Sequence, residues 1–276
     1  MLSAFNGKTI SILGDSISTF LNVSNGDAAD TTNSTIRDGV LYYDQQKIDY
    51  MGVSLDSTWW QRTANKLGAS VLVNNSWSGS YIKDASTNTR STPGAYLERA
   101  VNLHDNTGDN AGQKPDIIFI YMGTNDYYKY GANIGTLNKA LYDSLPDKLG
   151  GDYVATSVAE AYAIMLYKIT NEYPDAEIYC LTVLEGPSTD EFTLGIFNGM
   201  IKDVCEHFNG IYVDICAGSG IKNNNTYGDY VPKDDGDGTP NTLHPNSAGM
   251  ALISNYLLEV IYKNSKFYPD MTSIMK

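Results

Sequence analysis

The stretch TISILGDSIS, which runs from Thr9 to Ser18, decides the fold of this chain because it joins a buried strand to a polar turn. Residues 9–13 are almost all apolar or β-branched, a pattern typical of a strand that is covered on both faces. Four further runs of this kind follow, at residues 70–74, 117–122, 177–184 and 210–215. The sequence therefore predicts a five-stranded, mostly parallel sheet.

Helical patterns separate the predicted strands, at residues 57–67, 95–103, 155–173, 191–208 and 246–264. In the last pattern, apolar side chains recur at the spacing of one buried helix face, at Met250, Ile253, Leu257 and Ile261. Strands that alternate with helices form right-handed crossovers in a doubly wound α/β fold. Since neither a repeat nor a long linker interrupts the pattern, we expect one domain over residues 1–276.

Two polar segments, at about residues 21–56 and 127–152, do not fit the alternation and are interpreted as loop insertions. Each follows the carboxyl end of a predicted strand, which is the edge where open α/β sheets bind their ligands. Long loops at that edge are often functional, so we expect these two to form walls or lids of a pocket. The alternative is a surface excursion without a role.

The composition bears on the partners and the location of the protein. With 19 Lys and Arg against 32 Asp and Glu, the net charge is −13, which argues against binding to nucleic acid or to an anionic membrane. No apolar run is long enough to span a bilayer. We expect a soluble protein without a visible signal peptide, secreted if a signal was removed and cytoplasmic otherwise. The 21 Tyr residues favour a neutral, polar small molecule such as a sugar.

The patterns of metal and cofactor sites are missing from the sequence. The three cysteines, Cys180, Cys205 and Cys216, have neither the spacing of a zinc site nor that of a redox pair. The histidines do not form an HExxH motif, and no glycine-rich stretch has the pattern of a phosphate or dinucleotide site. We therefore expect no metal and no cofactor.

Four polar blocks follow predicted strands or precede a predicted helix. They are Gly14-Asp15-Ser16, Ser78-Gly79, Gly123-Thr124-Asn125-Asp126 and Leu243-His244-Pro245-Asn246. Carboxyl ends of parallel strands share one edge of a sheet, so these blocks can meet there. A serine hydroxyl beside an imidazole is an activated nucleophile, and nearby amide groups can stabilise an oxyanion.

In their order and spacing, the four blocks resemble those of the GDSL, or SGNH, hydrolase superfamily, and the resemblance covers essentially the whole chain. It implies a three-layer α/β/α sandwich around a five-stranded parallel sheet, which is the flavodoxin-like SGNH hydrolase fold. It also implies that Ser16 is the nucleophile and His244 the general base. The oxyanion donors would be the main-chain N–H groups of Ser16 and Gly79 and the side-chain amide of Asn125.

The sequence departs from the family pattern at Asn241, where members usually have an aspartate three residues before the histidine. Three readings stay open. The amide oxygen of Asn241 accepts the Nδ1–H of His244, as in papain-like sites. Alternatively, an upstream acid takes the role, with Asp237 as the candidate among Asp234, Asp235 and Asp237. In the third reading, Ser16 and His244 act as a dyad, and a main-chain carbonyl holds the ring.

These observations predict a serine esterase that hydrolyses short acyl esters, most of all acetyl esters, on a small molecule or an oligosaccharide. The hydrolase part rests on the four blocks. The carbohydrate part rests on the tyrosine-rich loops, on the lack of an apolar lid suited to lipid, and on the resemblance to deacetylase members of the superfamily. One alternative is an acyltransferase that uses the same site, and another is a non-catalytic, carbohydrate-binding relic of the fold.

Overall fold

A five-stranded sheet forms the centre of the molecule. The computed structural model describes residues 4–23, 41–83, 98–105, 111–130, 133–145 and 155–268. All neighbouring strands are parallel, and their order is β2-β1-β3-β4-β5. The strands are β1 (Thr9–Gly14), β2 (Ser70–Ser76), β3 (Ile117–Tyr121), β4 (Glu177–Leu181) and β5 (Ile211–Val213). The predicted five-stranded parallel sheet is thus confirmed, and its order is that of flavodoxin-like folds.

Eight α-helices lie within the described ranges. They are α1 (Gln45–Met51), α2 (Trp59–Leu67), α3 (Lys139–Asp143), α4 (Val158–Glu172), α5 (Glu191–His207), α6 (Ile215–Gly218), α7 (Tyr227–Tyr230) and α8 (Ser247–Asn264). Four of the five predicted helices are therefore present, and their ends differ from the predicted ones by at most three residues. None of the helices in these ranges is both long and apolar enough to cross a membrane.

Two apolar clusters cover the two faces of the sheet and give the molecule three layers. On one face, α4 and α5 pack on alternate strand residues such as Ile118 and Ile120. On the other face, α2 and α8 pack on the intervening residues, such as Phe119 and Tyr121. Strands β1, β3 and β4 are buried along their whole length, which explains their nearly continuous apolar sequences.

Three sequence-based expectations need correction. Helix α1 lies within the segment 21–56 that was expected to be a loop, and residues 24–40 fall outside the described ranges. The side chain of Asp44 caps α1 and Gly52 ends it in a left-handed conformation, so local capping stabilises a short, mostly polar helix. The segment 127–152 likewise contains α3 and most of a π-helical turn, although 131–132 and 146–152 are not described. Of the predicted helix 95–103, the described part holds only a 3-10 turn.

Candidate active site

Ser16 stands at the carboxyl end of β1, as the first residue of a 3-10 turn. The turn is fixed from both sides. The Asp15 carboxylate accepts a hydrogen bond from the N–H of Ile17 at 3.2 Å, and the N–H of Asp15 donates to the Tyr121 carbonyl at the end of β3, also at 3.2 Å. Ser16 is only 6% exposed. Its hydroxyl is therefore presented from a rigid turn at the edge of the sheet.

Gly14 makes this tight turn sterically feasible. A Cβ atom at this position would lie 2.6 Å from Ser18 Oγ and 2.7 Å from Ser76 Oγ, well inside van der Waals contact. Any larger residue would push the turn away from the end of β2. The glycine of the first block is thus needed for close packing between the strand ends.

His244 lies in the loop before α8, and its Nε2 is 2.8 Å from Ser16 Oγ. Burial, with the positive charge of Lys47 as a second cause, lowers the pKa of His244 to about 3. The ring is therefore neutral near pH 7, and a neutral imidazole can accept a hydroxyl proton. Ser16 and His244 have the geometry of a nucleophile and its base.

The third and second blocks come together through direct hydrogen bonds. Gly79 has a φ angle of +73° in the turn that follows β2, a conformation that favours glycine. The amide of Asn125 donates to the Ser80 carbonyl at 2.9 Å. An Asn amide has two N–H donors, so one remains for a ligand. The Asp126 carboxylate accepts from the N–H groups of Ile82 and Lys83 at 2.8 and 2.9 Å, which anchors the same loop.

A buried arginine that was not predicted from the sequence joins the first block to the second. The Nη2 atom of Arg99 donates to the Gly14 carbonyl at 3.0 Å and to the Asn75 carbonyl at 2.8 Å, so it joins the ends of β1 and β2. Its guanidinium lies 4.9 Å from the ring centre of Trp77. Burial lowers the pKa of Arg99 to about 9, although the nearby Asp15 opposes this shift. No motif marks this residue, because its partners are main-chain atoms that only the fold brings near.

Asn241 holds the main chain around His244. Its amide oxygen accepts from the N–H groups of Leu243 at 3.2 Å and His244 at 2.9 Å, and its amide nitrogen donates to the His244 carbonyl at 2.9 Å. These contacts fix the loop that carries the imidazole. In the first reading from the sequence, the amide oxygen was instead expected to accept the Nδ1–H of the ring. The side chain is thus a loop clamp in this structure.

The upstream acidic residues lie against Lys47. The carboxylate of Asp237 is 3.6 Å from Lys47 Nζ and accepts from the N–H of Thr239 at 2.8 Å. Asp235 is buried, 4.0 Å from the same ammonium, and Asp234 accepts from Gly236 within its own turn. The structure therefore places Asp237 in an ion pair with Lys47. Within the described ranges, no three His, Cys, Asp or Glu side chains are grouped to hold a metal ion.

The clamp at Asn241 makes a testable prediction. Asn241→Ala removes three hydrogen bonds, and we expect it to lower the free energy of unfolding by about 1–3 kcal/mol. Asn241→Asp keeps the two acceptor contacts but sets a carboxylate oxygen against the His244 carbonyl, so we expect it also to be less stable than the parent at pH 7. Urea denaturation of the three proteins measures both effects.

A different outcome would reassign the residue. If Asn241→Asp is as stable as the parent and turns over esters faster, the side chain at 241 acts on the imidazole and the main-chain contacts are secondary. Asn255→Asp is a matched control, since Asn255 is exposed on α8 and its side-chain oxygen accepts from Lys66 Nζ at 2.8 Å, a contact that an aspartate keeps.

Sequence and structure comparisons give consistent results. A model of the GDSL-like lipase/acylhydrolase family matches residues 8–227. No curated protein sequence matches the chain significantly. A GDSL-like lipase candidate from Bacteroides uniformis has a similar structure, with 23% identity over 94% of this chain and 97% of that chain and a TM-score of 0.60. Another such candidate, from Bacteroides ovatus, gives 24% identity, coverage of 94% and 100%, and a TM-score of 0.53. A protein from Lactobacillus plantarum gives 16% identity, coverage of 94% and 98%, and a TM-score of 0.59.

Proposed function

Since the chain belongs to the GDSL-like lipase/acylhydrolase family, we propose that it is a serine esterase that removes short acyl groups, most of all acetyl, from a carbohydrate. The observation that carries the proposal is the 2.8 Å contact between Ser16 Oγ and a neutral His244. A hydroxyl is a weak nucleophile until a base takes its proton, and this pair supplies both groups.

In the first half-reaction, Ser16 Oγ attacks the ester carbonyl while His244 Nε2 takes the hydroxyl proton. The N–H groups of Ser16 and Gly79 and the amide of Asn125 would donate to the resulting oxyanion. When the intermediate collapses, the imidazolium gives its proton to the sugar oxygen, and the C–O bond to the leaving alcohol breaks. An acyl-Ser16 enzyme remains.

In the second half-reaction, water attacks the acyl carbonyl and His244 takes a proton from that water. The new tetrahedral intermediate collapses with cleavage of the bond to Ser16 Oγ, which receives the proton back from the imidazolium. A carboxylic acid leaves, and the enzyme returns to its starting state. The same two groups thus serve both steps, as general acid–base catalysis requires.

The carbohydrate part of the proposal is supported by the composition, with 21 Tyr residues in the chain. A tyrosine combines an apolar ring with a polar hydroxyl, which suits the faces and edges of a pyranose. Two tyrosines beside the His244 loop use their hydroxyls within the protein, since Tyr227 donates to the Thr242 carbonyl at 2.7 Å and the Tyr128 hydroxyl is 2.8 Å from Thr189 Oγ1.

A chain-length and acceptor series tests the proposal. We expect faster hydrolysis of p-nitrophenyl acetate than of the butyrate or octanoate esters, and acetate release from acetylated xylan or mannan oligosaccharides. Preferred cleavage of octanoate would contradict the short-acyl assignment. Transfer of acetyl to an added sugar in place of water would identify an acyltransferase. Binding of acetylated oligosaccharides without any turnover would identify a non-catalytic protein.

The pKa of His244 predicts an unusual pH profile. Because the base must be neutral and its pKa is about 3, protonation of His244 should not lower kcat/KM between pH 8 and about pH 5, where a free imidazole would already be protonated. Burial raises the pKa of two carboxyl groups of the site into this range, Asp15 to about 6 and Asp126 to about 7, so any change of rate here is expected to follow them and not the imidazole. The folded pKa lies below the unfolded value, so the stability from this group is present above about pH 6.5 and is lost as the pH falls toward 3. Rates and melting temperatures measured across this range at constant ionic strength check both statements. Titration of the His244 imidazole itself near pH 6.5, followed by NMR, would contradict them.

A further inference from the structure

The imidazole of His244 lies face to face with the ring of Tyr42. The two ring centres are 3.4 Å apart and the planes differ by 11°. Tyr42 belongs to none of the four sequence blocks, and it lies in the segment just before α1. Asn241 contacts the main chain of His244, and Asp237 pairs with Lys47. Among the described residues, the imidazole is stacked on Tyr42 and meets Tyr43 edge-on, with ring centres 6.4 Å apart.

Tyr42 is itself held by both halves of the candidate site. Its N–H donates to Thr19 Oγ1 at 3.0 Å, and the Thr19 hydroxyl donates to the Ser16 carbonyl at 2.8 Å. The neighbouring Tyr43 packs edge-on against Tyr42, with ring centres 5.0 Å apart, and its hydroxyl donates to the Pro245 carbonyl at 2.6 Å. The tyrosine pair thus connects the Ser16 turn to the loop of His244.

We infer that Tyr42 is a positioning residue for His244. Its ring keeps the imidazole aligned with the Ser16 hydroxyl, as an orienting acid does in a catalytic triad. The inference rests on the proposed esterase function. A flat ring stacked on the imidazole restricts rotation about the χ2 angle of His244. It therefore keeps Nε2 directed at the Ser16 hydroxyl.

The stacked Tyr42 ring also affects the stability of the imidazolium form of His244. When His244 takes the proton of Ser16, a cation–π interaction with the face of the Tyr42 ring offsets part of the cost of burying the imidazolium, although burial remains the larger effect on its pKa. The positive charge of Lys47 opposes the imidazolium. The ammonium of Lys47 lies 5.4 Å from the ring centre of Tyr42. Three carboxylates lie around this ammonium, with the nearest oxygens of Asp44, Asp235 and Asp237 at 3.3, 4.0 and 3.6 Å.

The phenol of Tyr42 does not take part in proton transfer. Burial, together with the carboxylates of Asp235 and Asp237, raises the pKa of Tyr42 well above its ordinary value. The hydroxyl therefore stays protonated across the pH range of the assays. The positioning of His244 should therefore depend on the face of the ring and not on the hydroxyl. Tyr42→Phe keeps that face, whereas a variant without an aromatic ring loses it.

The test compares Tyr42→Leu and Tyr42→Phe with the parent, using p-nitrophenyl acetate. Loss of the stack should lower kcat on the order of 10²-fold, the scale expected when a reacting group is misplaced by about 1 Å, with little change in KM. The acid limb of kcat/KM should also move upward from about pH 3, because the imidazole loses part of its cover. Tyr42→Phe should restore most of the activity and the parental limb.

Controls separate positioning from general damage. Tyr262→Leu makes the same change on an exposed tyrosine of α8 and should have no effect. Circular dichroism checks each fold, and Tyr42→Met replaces Tyr42→Leu if the latter unfolds. The inference is overturned if the non-aromatic variant keeps the parental kcat and acid limb, or if Tyr42→Phe is as impaired as Tyr42→Leu. A parent protein without Ser16-dependent turnover would instead overturn the proposed function.

Discussion

Ser16→Ala is expected to lower kcat/KM for p-nitrophenyl acetate by at least about 10⁴-fold, the scale seen when a nucleophile of a serine hydrolase is removed. The hydroxyl is the only part of the residue that is lost, and the turn is held by main-chain contacts of Asp15 and Thr19 that alanine preserves. Ester binding should therefore persist while acyl transfer stops.

Ser18→Ala is the matched control for this prediction. It makes the same change two residues along the same turn, at a buried hydroxyl for which the described residues offer no hydrogen-bond partner. We expect it to be as active as the parent. Full activity of Ser16→Ala, with a melting temperature like that of the parent, would refute the assignment of the nucleophile.

His244→Ala is expected to lower kcat by at least about 10³-fold, because the Ser16 hydroxyl then has no base to take its proton. The 2.8 Å contact also predicts strong coupling between the two residues. The kcat of the variant that carries both Ser16→Ala and His244→Ala should be no lower than that of the slower single variant. The reason is that each substitution alone already disables the pair.

His207→Ala serves as the control for the histidine, because its ring packs on Tyr142 and Phe208 at the end of α5, away from Ser16. Turnover of this variant should equal that of the parent. Additive losses in the Ser16 and His244 double variant would mean that the two side chains act independently, and the proposed mechanism would then be wrong.

The sheet and the four blocks could be predicted from sequence for a simple physical reason. Strands buried on both faces have nearly continuous apolar sequences, and the carboxyl ends of parallel strands meet at one edge. Polar residues directly after such strands, such as Ser16 and Asn125, therefore converge regardless of the loops between them. Ser16 and His244 are 228 positions apart in the chain and 2.8 Å apart in the fold.

The surroundings of His244 could not be predicted in this way. Tyr42 precedes a seven-residue helix whose sequence, QQKIDYM, has too few apolar residues to give a helical period, so the segment was expected to be a loop. Arg99 reaches two main-chain carbonyls that no sequence pattern marks. For Asn241, the residue type allowed a contact with the ring, and only the course of the loop directs its amide to the main chain.

The most direct test of the account is to identify the residue that becomes acylated. The protein is mixed with p-nitrophenyl acetate, or with a fluorophosphonate that traps the nucleophile, and is then quenched, digested and mapped by mass spectrometry. We expect one covalent adduct, on the peptide that contains Ser16, that is lost in Ser16→Ala and forms more slowly in His244→Ala. Turnover of the ester with an adduct on another residue, or with no serine adduct at all, would contradict it.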